Sequence, residues 1–232
     1  GSERILSNSA FTKSEIERFS ASGHLPPCPP VLPVPLSHEL RPTDEPVEQT
    51  GPSDPYVLCI GILTGRKNLE CVMEAYLHLH GTGRPLPPLV LAGARRKRTD
   101  TYLEQDRFDP IRAHLHVVTN PNQAELRRLY EGALARAIPS RMEGWGLPLG
   151  EALWLGTPGL ASTGAASLRE AGGDLALYFA PDDPQALAGL IDTLRTDKDA
   201  YAALKARIVA AKSDLRTWKD VAQGILAATE MA

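Results

Sequence analysis

The sequence has few cysteines, little net charge and no long apolar run, and each absence excludes a class of protein. Its three cysteines, Cys28, Cys59 and Cys71, lack the spacing of a disulfide framework or a metal site, as is typical of a reducing compartment such as the cytoplasm. The net charge of −3 gives no indication of nucleic-acid binding. No apolar stretch approaches the roughly 18 residues of a membrane span, and no signal peptide opens the chain. What remains is an ordinary globular composition in 232 residues.

Proline is concentrated near the start of the chain. Ten of the twenty prolines lie between residues 26 and 55, a composition typical of a linker. Before this stretch the sequence predicts only a short strand at residues 4–7 and a helix at residues 14–20, where Ile16 and Phe19 are three residues apart. This opening is too short to be a domain, and we interpret it as the tail of one.

From residue 55 onward, apolar strands alternate with helices. Helices are predicted from Asn68, from Asn122, which forms a capping box with Glu125, from residue 147 to 155, and three times between residues 184 and 229. This alternation predicts an α/β fold with a Rossmann-like parallel sheet flanked by helices, which binds ligands beyond the carboxyl ends of its strands. Six strands are predicted from continuous apolar runs, at residues 56–60, 89–92, 116–118, 134–138, 159–161 and 177–179.

The residues after these strands have a composition that suits a bound diphosphate. Gly61 closes the first strand, and Arg66 and Lys67 follow it at the start of a helix. Small residues let the backbone approach phosphate, helix N-termini donate N–H groups and cations offset the charge. Because basic residues at a helix start oppose the macrodipole, Arg66 and Lys67 indicate a bound anion. A solvated pair of cations is the alternative.

The segment EGWGLPLGE, residues 143–151, places a carboxylate on each side of a glycine-rich turn. Glycines on both sides of Trp145 allow an unusual backbone path, and Pro148 pre-sets the helix that follows. Eight helical residues would separate Glu143 from Glu151 by roughly 12 Å. That distance suits two hydroxyl-bearing groups on either side of a diphosphate, and it does not suit the close carboxylates of a typical glycosidase. Two unrelated surface glutamates are the other interpretation.

Together these motifs resemble the C-terminal domain of the GT-B-fold retaining glycosyltransferases of the group 1, or family 4, type. EGWGLPLGEALWLGTP resembles the family's glutamate–seven residues–glutamate motif, with Trp145 where phenylalanine is commoner. GRKNLECVMEAY resembles its Lys-Asn helix start, and LVLAG and ELRRLY follow in the expected order. The opening SNSAFTKSEIERF resembles the last elements of the family's N-terminal domain. The resemblance therefore implies an N-terminal-domain remnant at residues 1–34, a Pro-rich linker at 35–54 and a nucleotide-sugar-binding domain at 55–232.

The resemblance also implies a role for each site residue. Lys67 and Arg66 would hold the donor diphosphate, Glu143 would contact hydroxyls of the transferred sugar, and Glu151 would bind the ribose hydroxyls. We expect Lys67, Arg66 and Glu143 to be the catalytic group. The other donor-binding residues would act mainly through their backbone: Gly61 at the end of the first strand, Gly144, Trp145, Gly146 and Leu147 at the sugar and phosphate, and Asn120 and Pro121 near the nucleobase.

The implied reaction transfers a hexose from a UDP- or GDP-sugar, with retention, to a glycan or lipid-linked acceptor in bacterial surface polysaccharide or lipopolysaccharide biosynthesis. No cofactor and no metal ion are implied. The implied partner is an N-terminal GT-B domain, without which the chain would bind the donor but not transfer the sugar. Two alternatives stay open: a non-catalytic sugar-nucleotide-binding module of a larger protein, and a GT-B-like sugar-nucleotide epimerase.

Some features depart from the family's pattern or stand outside it. Ile62 occupies the position after Gly61 where the family often has an arginine, so Arg66 or Lys67 must carry more of the diphosphate's charge. The six histidines do not match the context of the family's catalytic histidine, and we interpret them as surface or packing residues. The basic run at residues 95–98 predicts a solvated loop, with contact to phosphate or to an anionic membrane surface as the alternative.

Overall fold

The computed structural model describes residues 3–61, 65–94 and 97–230. The described chain contains nine α-helices: α1 Ala10–Ala21, α2 Leu69–Gly81, α3 Lys97–Leu103, α4 Gln123–Gly132, α5 Leu147–Trp154, α6 Ala166–Gly172, α7 Pro184–Thr196, α8 Lys198–Ala210 and α9 Trp218–Glu230. Its eight strands are β1 Ile5–Ser7, β2 Val31–Pro33, β3 Tyr56–Ile60, β4 Leu89–Gly93, β5 Leu115–Thr119, β6 Ala133–Ile138, β7 Gly159–Ser162 and β8 Ala176–Phe179.

A six-stranded parallel sheet forms the centre of the molecule, in the order β5-β4-β3-β6-β7-β8. Apart from the half-buried Ile60, the apolar residues of β3, β4, β6 and β7 are buried, because helices cover the sheet on each side. Val57 and Leu91 face a core with α2 and α7, whereas Leu58 and Val90 face a second core with α4. All six predicted strands are present, and the predicted α/β fold with a Rossmann-like sheet is confirmed.

The strand order reverses between β3 and β6, since β4 and β5 lie on one side and β7 and β8 on the other. In open parallel sheets, the carboxyl ends of the two strands at such a point diverge and leave a crevice for a ligand. Pairing of β3 with β6 ends at Leu58 and Arg136, although β3 pairs with β4 as far as Ile60 and β6 pairs with β7 as far as Ile138. The two central strands therefore separate at their carboxyl ends.

Asn68 does not cap α2 in the way the sequence predicts. It lies directly before the helix in the left-handed conformation, at φ 52°, and its side chain makes no capping hydrogen bond. Its Nδ2 instead donates to the carbonyl oxygens of Pro139, at 3.1 Å, and Pro181, at 2.7 Å. By contrast, the capping box predicted for Asn122 and Glu125 at the start of α4 is confirmed.

Residues 34–55 contain neither helix nor strand, but they are docked on the sheet domain. The Glu125 carboxylate accepts hydrogen bonds from the backbone N–H groups of Glu48 and Gln49 as well as from that of Asn122. The bonds from Asn122 and Gln49 are the main reason why the pKa of Glu125 is lowered. Asn122 Nδ2 also donates to the Pro46 carbonyl oxygen at 2.8 Å. The strand β2, which lies just before the linker predicted at residues 35–54, was not predicted from the sequence.

Strands β1 and β2 form a separate two-stranded parallel sheet, with α1 between them in sequence. The Glu170 carboxylate of α6 accepts hydrogen bonds from the first N–H groups of α1, at Ala10 and Phe11, at 2.8 and 2.7 Å. A carboxylate is favoured there because it lies at the positive end of the helix dipole. The opening elements are thus attached to the sheet domain, while the division into a remnant, a linker and a domain stays a prediction.

His38 packs between elements distant in sequence, in agreement with its interpretation as a packing residue. It is 6% exposed; its Nε2 donates to the Ala171 carbonyl oxygen and its Nδ1 accepts from the Arg216 N–H. Only the neutral ring can make both bonds. Burial is the main cause of the lowered pKa of His38, and the charge of Arg216 adds to it against the opposing effect of the Ala171 bond.

We expect this histidine to make the fold sensitive to mild acid. Its folded pKa is below the unfolded value, so the unfolded chain takes up the proton first, and the free energy of unfolding falls as the pH drops below about 6.5. Urea unfolding at about pH 7.5 and pH 5.5 measures this. His38→Gln should reduce the difference between the two conditions; an unchanged difference would assign the effect to other groups.

Candidate functional site

The turns after β3 and β6 lie where these two strands separate, and we define the crevice there by Gly61, residues 65–67 and residues 139–146. A 3-10 turn at Gly65–Lys67 precedes α2 and carries Arg66 and Lys67. The two turns are joined directly, because the Arg141 N–H donates to the Arg66 carbonyl oxygen at 2.8 Å. The crevice therefore lies at the point of the sheet where the strand order reverses, and it contains residues from both predicted motifs.

A carboxylate paired with two cations forms the centre of this crevice. Lys67 Nζ lies 2.5 Å from Glu143 Oε1, and Arg66 Nη1 lies 3.2 Å from Glu143 Oε2. Ser140 Oγ donates to Glu143 Oε1 at 2.7 Å. Burial opposes ionisation of Glu143, but the bonds from Lys67 and Ser140 and the charges of both cations outweigh it, so that its pKa is lowered. Glu143 is therefore an anion at neutral pH.

The exposure of the three side chains shows which of them a ligand can reach. The side chain of Glu143 is 9% exposed, that of Lys67 20% and that of Arg66 59%. With one carboxylate for two cations, the cluster carries a net positive charge. It can therefore attract an anion, and Arg66 can turn toward it while Lys67 keeps Glu143 neutralised. The predicted catalytic group is thus brought together, and the individual roles stay predictions.

The glycine-rich turn after Glu143 is held from both sides. Gly146 directly precedes α5 at φ 106°, a conformation that favours glycine, and the Glu143 carbonyl oxygen accepts from Ser167 Oγ at 2.7 Å. The Gly144 carbonyl oxygen accepts from Thr12 Oγ1 of α1 at 3.2 Å. Trp145 points into the core, with 4% exposure. The tryptophan can therefore line a ligand only through its backbone, and the binding roles of Gly144, Trp145, Gly146 and Leu147 stay predictions.

Glu151 lies on α5 and is oriented by Tyr130, for which the sequence predicted no site role. Tyr130 Oη donates to Glu151 Oε2 at 2.7 Å. Burial, followed by the charge of Glu151, raises the pKa of Tyr130 well above its usual value, so the hydroxyl remains a donor. A cavity of about 400 Å³ opens beside Glu151 and is lined by Glu39, Leu40, Arg41, Gln123, Glu151 and Trp218.

The remaining predicted residues lie at the same edge of the sheet. Asn120 follows β5 in the left-handed conformation, at φ 48°, and its N–H donates to the Gly93 carbonyl oxygen at 3.0 Å. Pro121 follows it, and Gly61 directly follows β3. A Cβ at Gly93 would lie 2.5 Å from the Gly61 carbonyl oxygen, so the ends of β3 and β4 meet closely only because glycine occupies this position. Ile62, Arg95 and Arg96 lie outside the described residues.

The described chain has neither a metal-ligand group nor a membrane-spanning helix. No three His, Cys, Asp or Glu side chains within residues 3–61, 65–94 and 97–230 lie together as a metal-ligand group. Within the same residues, every helix is too short or too polar to cross a lipid bilayer.

Comparison with known proteins assigns the family. The sequence profile of the family described as "Glycosyl transferases group 1" matches residues 41–210, which is most of the chain. The chain belongs to this family. It is 32% identical over 143 residues to the O-antigen chain mannosyltransferase B of Escherichia coli, covering 61% of this chain and 37% of that protein. It is 28% identical over 171 residues to the serotype-specific mannosyltransferase WbdA of E. coli, covering 73% of this chain and 21% of that protein. The group 1 chain therefore spans well under half the length of these relatives.

Solved structures share the fold at low sequence identity. The chain matches the sucrose-phosphate synthase of Thermosynechococcus elongatus with a TM-score of 0.78 and 19% identity, over 100% of this chain and 58% of that one. It matches Anabaena Alr3699/HepE in complex with UDP-glucose with a TM-score of 0.73 and 16% identity, over 100% of this chain and 64% of that one. The resemblance to group 1 glycosyltransferases and the GT-B-type fold, both inferred from the sequence, are confirmed.

Proposed function

We propose that this chain is the donor-binding part of a retaining hexosyltransferase that uses a nucleoside diphosphate sugar in bacterial surface polysaccharide synthesis. The observation that carries the proposal is the cluster of Arg66, Lys67 and Glu143 at the mouth of the crevice. Its net positive charge suits a diphosphate, and Glu151 lies on the helix that begins at the same turn. The names of the curated relatives support a mannosyl group as the hexose and O-antigen as the product.

The geometry suggests how the chain promotes transfer. As the bond between sugar and diphosphate breaks, negative charge grows on the leaving phosphate, and preorganised cations lower the energy of that charge. Lys67 and Arg66 are positioned for this role. When Arg66 turns toward the diphosphate, Glu143 Oε2 loses that partner and can accept a hydrogen bond from a sugar hydroxyl. Retention at the anomeric carbon, the acceptor site and a cytoplasmic location belong to the proposal. We expect the acceptor to bind in an N-terminal domain, so that this chain alone binds the donor without transferring its sugar.

Calorimetry with UDP, GDP, UDP-glucose and GDP-mannose tests the proposal. We expect one nucleotide series to bind, because base contacts select between uracil and guanine, while the diphosphate contacts are common to both. The solved Anabaena protein in complex with UDP-glucose has the same fold and supports such a site. Failure of all four compounds to bind a folded chain would contradict the donor-site proposal.

Two glutamate variants should separate the ribose end of the site from the sugar end. Glu151→Ala should weaken binding of the free nucleoside diphosphate by at least about tenfold, since a hydrogen bond to a charged group contributes about 1.5–3 kcal/mol. Glu143→Ala should weaken binding only of the nucleoside diphosphate sugar, because its removal leaves both cations free for the diphosphate. Calorimetry with each variant measures both effects. Equal losses with the free nucleoside diphosphate would contradict the two roles.

A further inference from the structure

Arg136 is the largest fully buried side chain of the described chain, and it lies in the middle of β6 at 2% exposure. Arginine keeps its charge in proteins and is almost never enclosed without a carboxylate partner. None of the ion pairs within the described residues includes Arg136. The positive charge inside β6 thus has no ion-pair partner within the described chain.

The partners of the guanidinium are backbone carbonyl groups. Nη1 donates to the Leu58 carbonyl oxygen at 3.1 Å and also contacts that of Ala137, and Nη2 donates to the Ile60 carbonyl oxygen at 3.0 Å. Its Nε is buried without a partner. Carbonyl dipoles only partly offset a buried charge, and the unpaired N–H adds a further cost. A group this costly in the centre of a sheet calls for an explanation beyond packing.

The position of Arg136 connects it with the crevice. Arg136 forms the last pair between β3 and β6, and its guanidinium extends along β3 to Ile60, the last residue of that strand. It therefore fills the gap where the two strands separate. The Lys67 side chain lies beside Gly61, the residue after Ile60, because a Cβ added at Gly61 would be 3.7 Å from Lys67 Cε. The charges of both Arg136 and Lys67 lower the pKa of Cys59, against the larger raising effect of burial, which places both cations near the end of β3.

The cationic side chains that border the crevice do not by themselves neutralise the negative charge of a nucleoside diphosphate. Arg66 and Lys67 share the carboxylate of Glu143, which removes one of their two charges, and Arg141 is paired with Asp182. A nucleoside diphosphate sugar carries more negative charge than the one that remains. Because the interior screens charge less than water does, a guanidinium below the crevice still acts on an anion above it.

We propose that Arg136 determines the specificity of the donor site for a diphosphate: enclosed between β3 and β6 below the crevice, it supplies the positive charge that Glu143 removes from Arg66 and Lys67. This inference rests on the proposed function. Arg136 acts through its field and by holding Ile60 and Gly61 in place, without touching the ligand. A residue with only a packing role would affect all ligands of the site alike, whereas Arg136 distinguishes the diphosphate from the uncharged nucleoside.

The test compares a nucleoside with its diphosphate in the series that binds the unmodified chain. Arg136→Met keeps the length of the side chain and removes the charge. We expect calorimetry to show about a tenfold loss of affinity for the nucleoside diphosphate, as expected for about 1.4 kcal/mol of lost charge interaction, and less than about a twofold loss for the nucleoside. Equal losses for both ligands, or no loss, would overturn the inference while the proposed function stands. Failure of the unmodified chain to bind any diphosphate would instead overturn the proposed function, and with it this inference.

A second variant keeps the test decisive if Arg136→Met does not fold. Arg136→Lys retains a charge, but burial lowers the pKa of a lysine. We expect its affinity for the nucleoside diphosphate to fall between about pH 7 and pH 9 relative to that of the unmodified chain, as the buried lysine loses its proton. The affinity for the nucleoside should not change. The same pH dependence in both proteins would contradict a role for the charge at position 136.

Discussion

Lys67→Ala should reduce the affinity for a nucleoside diphosphate about 100-fold, which corresponds to about 2.7 kcal/mol. Lys67 forms the shortest contact to Glu143, at 2.5 Å, and is the less exposed of the two cations. Without it, Arg66 and Ser140 are the remaining partners of the carboxylate, and the cluster loses its net positive charge. An anion entering the crevice would then meet a carboxylate that is only partly neutralised. Calorimetry with UDP or GDP measures the loss.

Two further variants separate charge from shape. Lys67→Arg keeps the cation, and we expect it to retain affinity within about tenfold, since its planar group meets the carboxylate differently. Combining Lys67→Ala with Glu143→Gln should restore part of the affinity, because the second change removes the unpaired negative charge. The double-mutant cycle measures the coupling between the two residues. Additive losses would mean that Lys67 and Glu143 act independently of each other.

Trp145→Ala should lower the free energy of unfolding by about 3–5 kcal/mol, as expected when a large buried aromatic side chain is removed from a core. Trp145 is 4% exposed and lies edge-on to His38, with ring centroids 5.9 Å apart. It joins the turn of the crevice to the core beneath it. Urea unfolding, followed by far-UV circular dichroism, measures the change.

Trp145→Phe is the matched control and should cost far less. The buried Nε1 of Trp145 has no hydrogen-bond partner, so replacing the indole removes an unsatisfied donor together with part of the ring. The sequence resemblance also gives phenylalanine as the commoner residue here. A loss equal to that of Trp145→Ala would show that the indole makes a contact on which the fold depends.

The pattern of the sequence predicts the sheet and the location of the crevice because both follow from local signals. Buried parallel strands are continuous apolar runs, and their carboxyl ends must meet at one edge. The pairing of Glu143 with Lys67 was not predicted, because it joins two turns that lie 76 residues apart in sequence. Asn68 was misread as a cap for a related reason: its side chain is used by turns far along the chain.

Tyr130 and Arg136 show a second limit of sequence patterns. Tyr130 lies at an apolar position in the helical repeat of α4. That pattern indicates a packing role and does not predict the hydrogen bond from its hydroxyl to Glu151. Arg136 lies inside a run predicted as a buried strand, where its length lets it reach carbonyl groups of β3. In both cases the backbone position was predicted correctly, while the polar end of the side chain finds its partner only in the folded chain.

The side chain of Asn68 has a mechanical consequence for the crevice. Its amide holds the carbonyl groups of Pro139 and Pro181, which belong to the turns after β6 and β8, and its Oδ1 accepts from Arg141 Nη2. Because Asn68 directly follows Lys67, its amide connects the turns after β3, β6 and β8. A ligand that pulls on Lys67 would therefore shift the turn that carries Glu143 as well, and the two ends of the charge cluster would respond together.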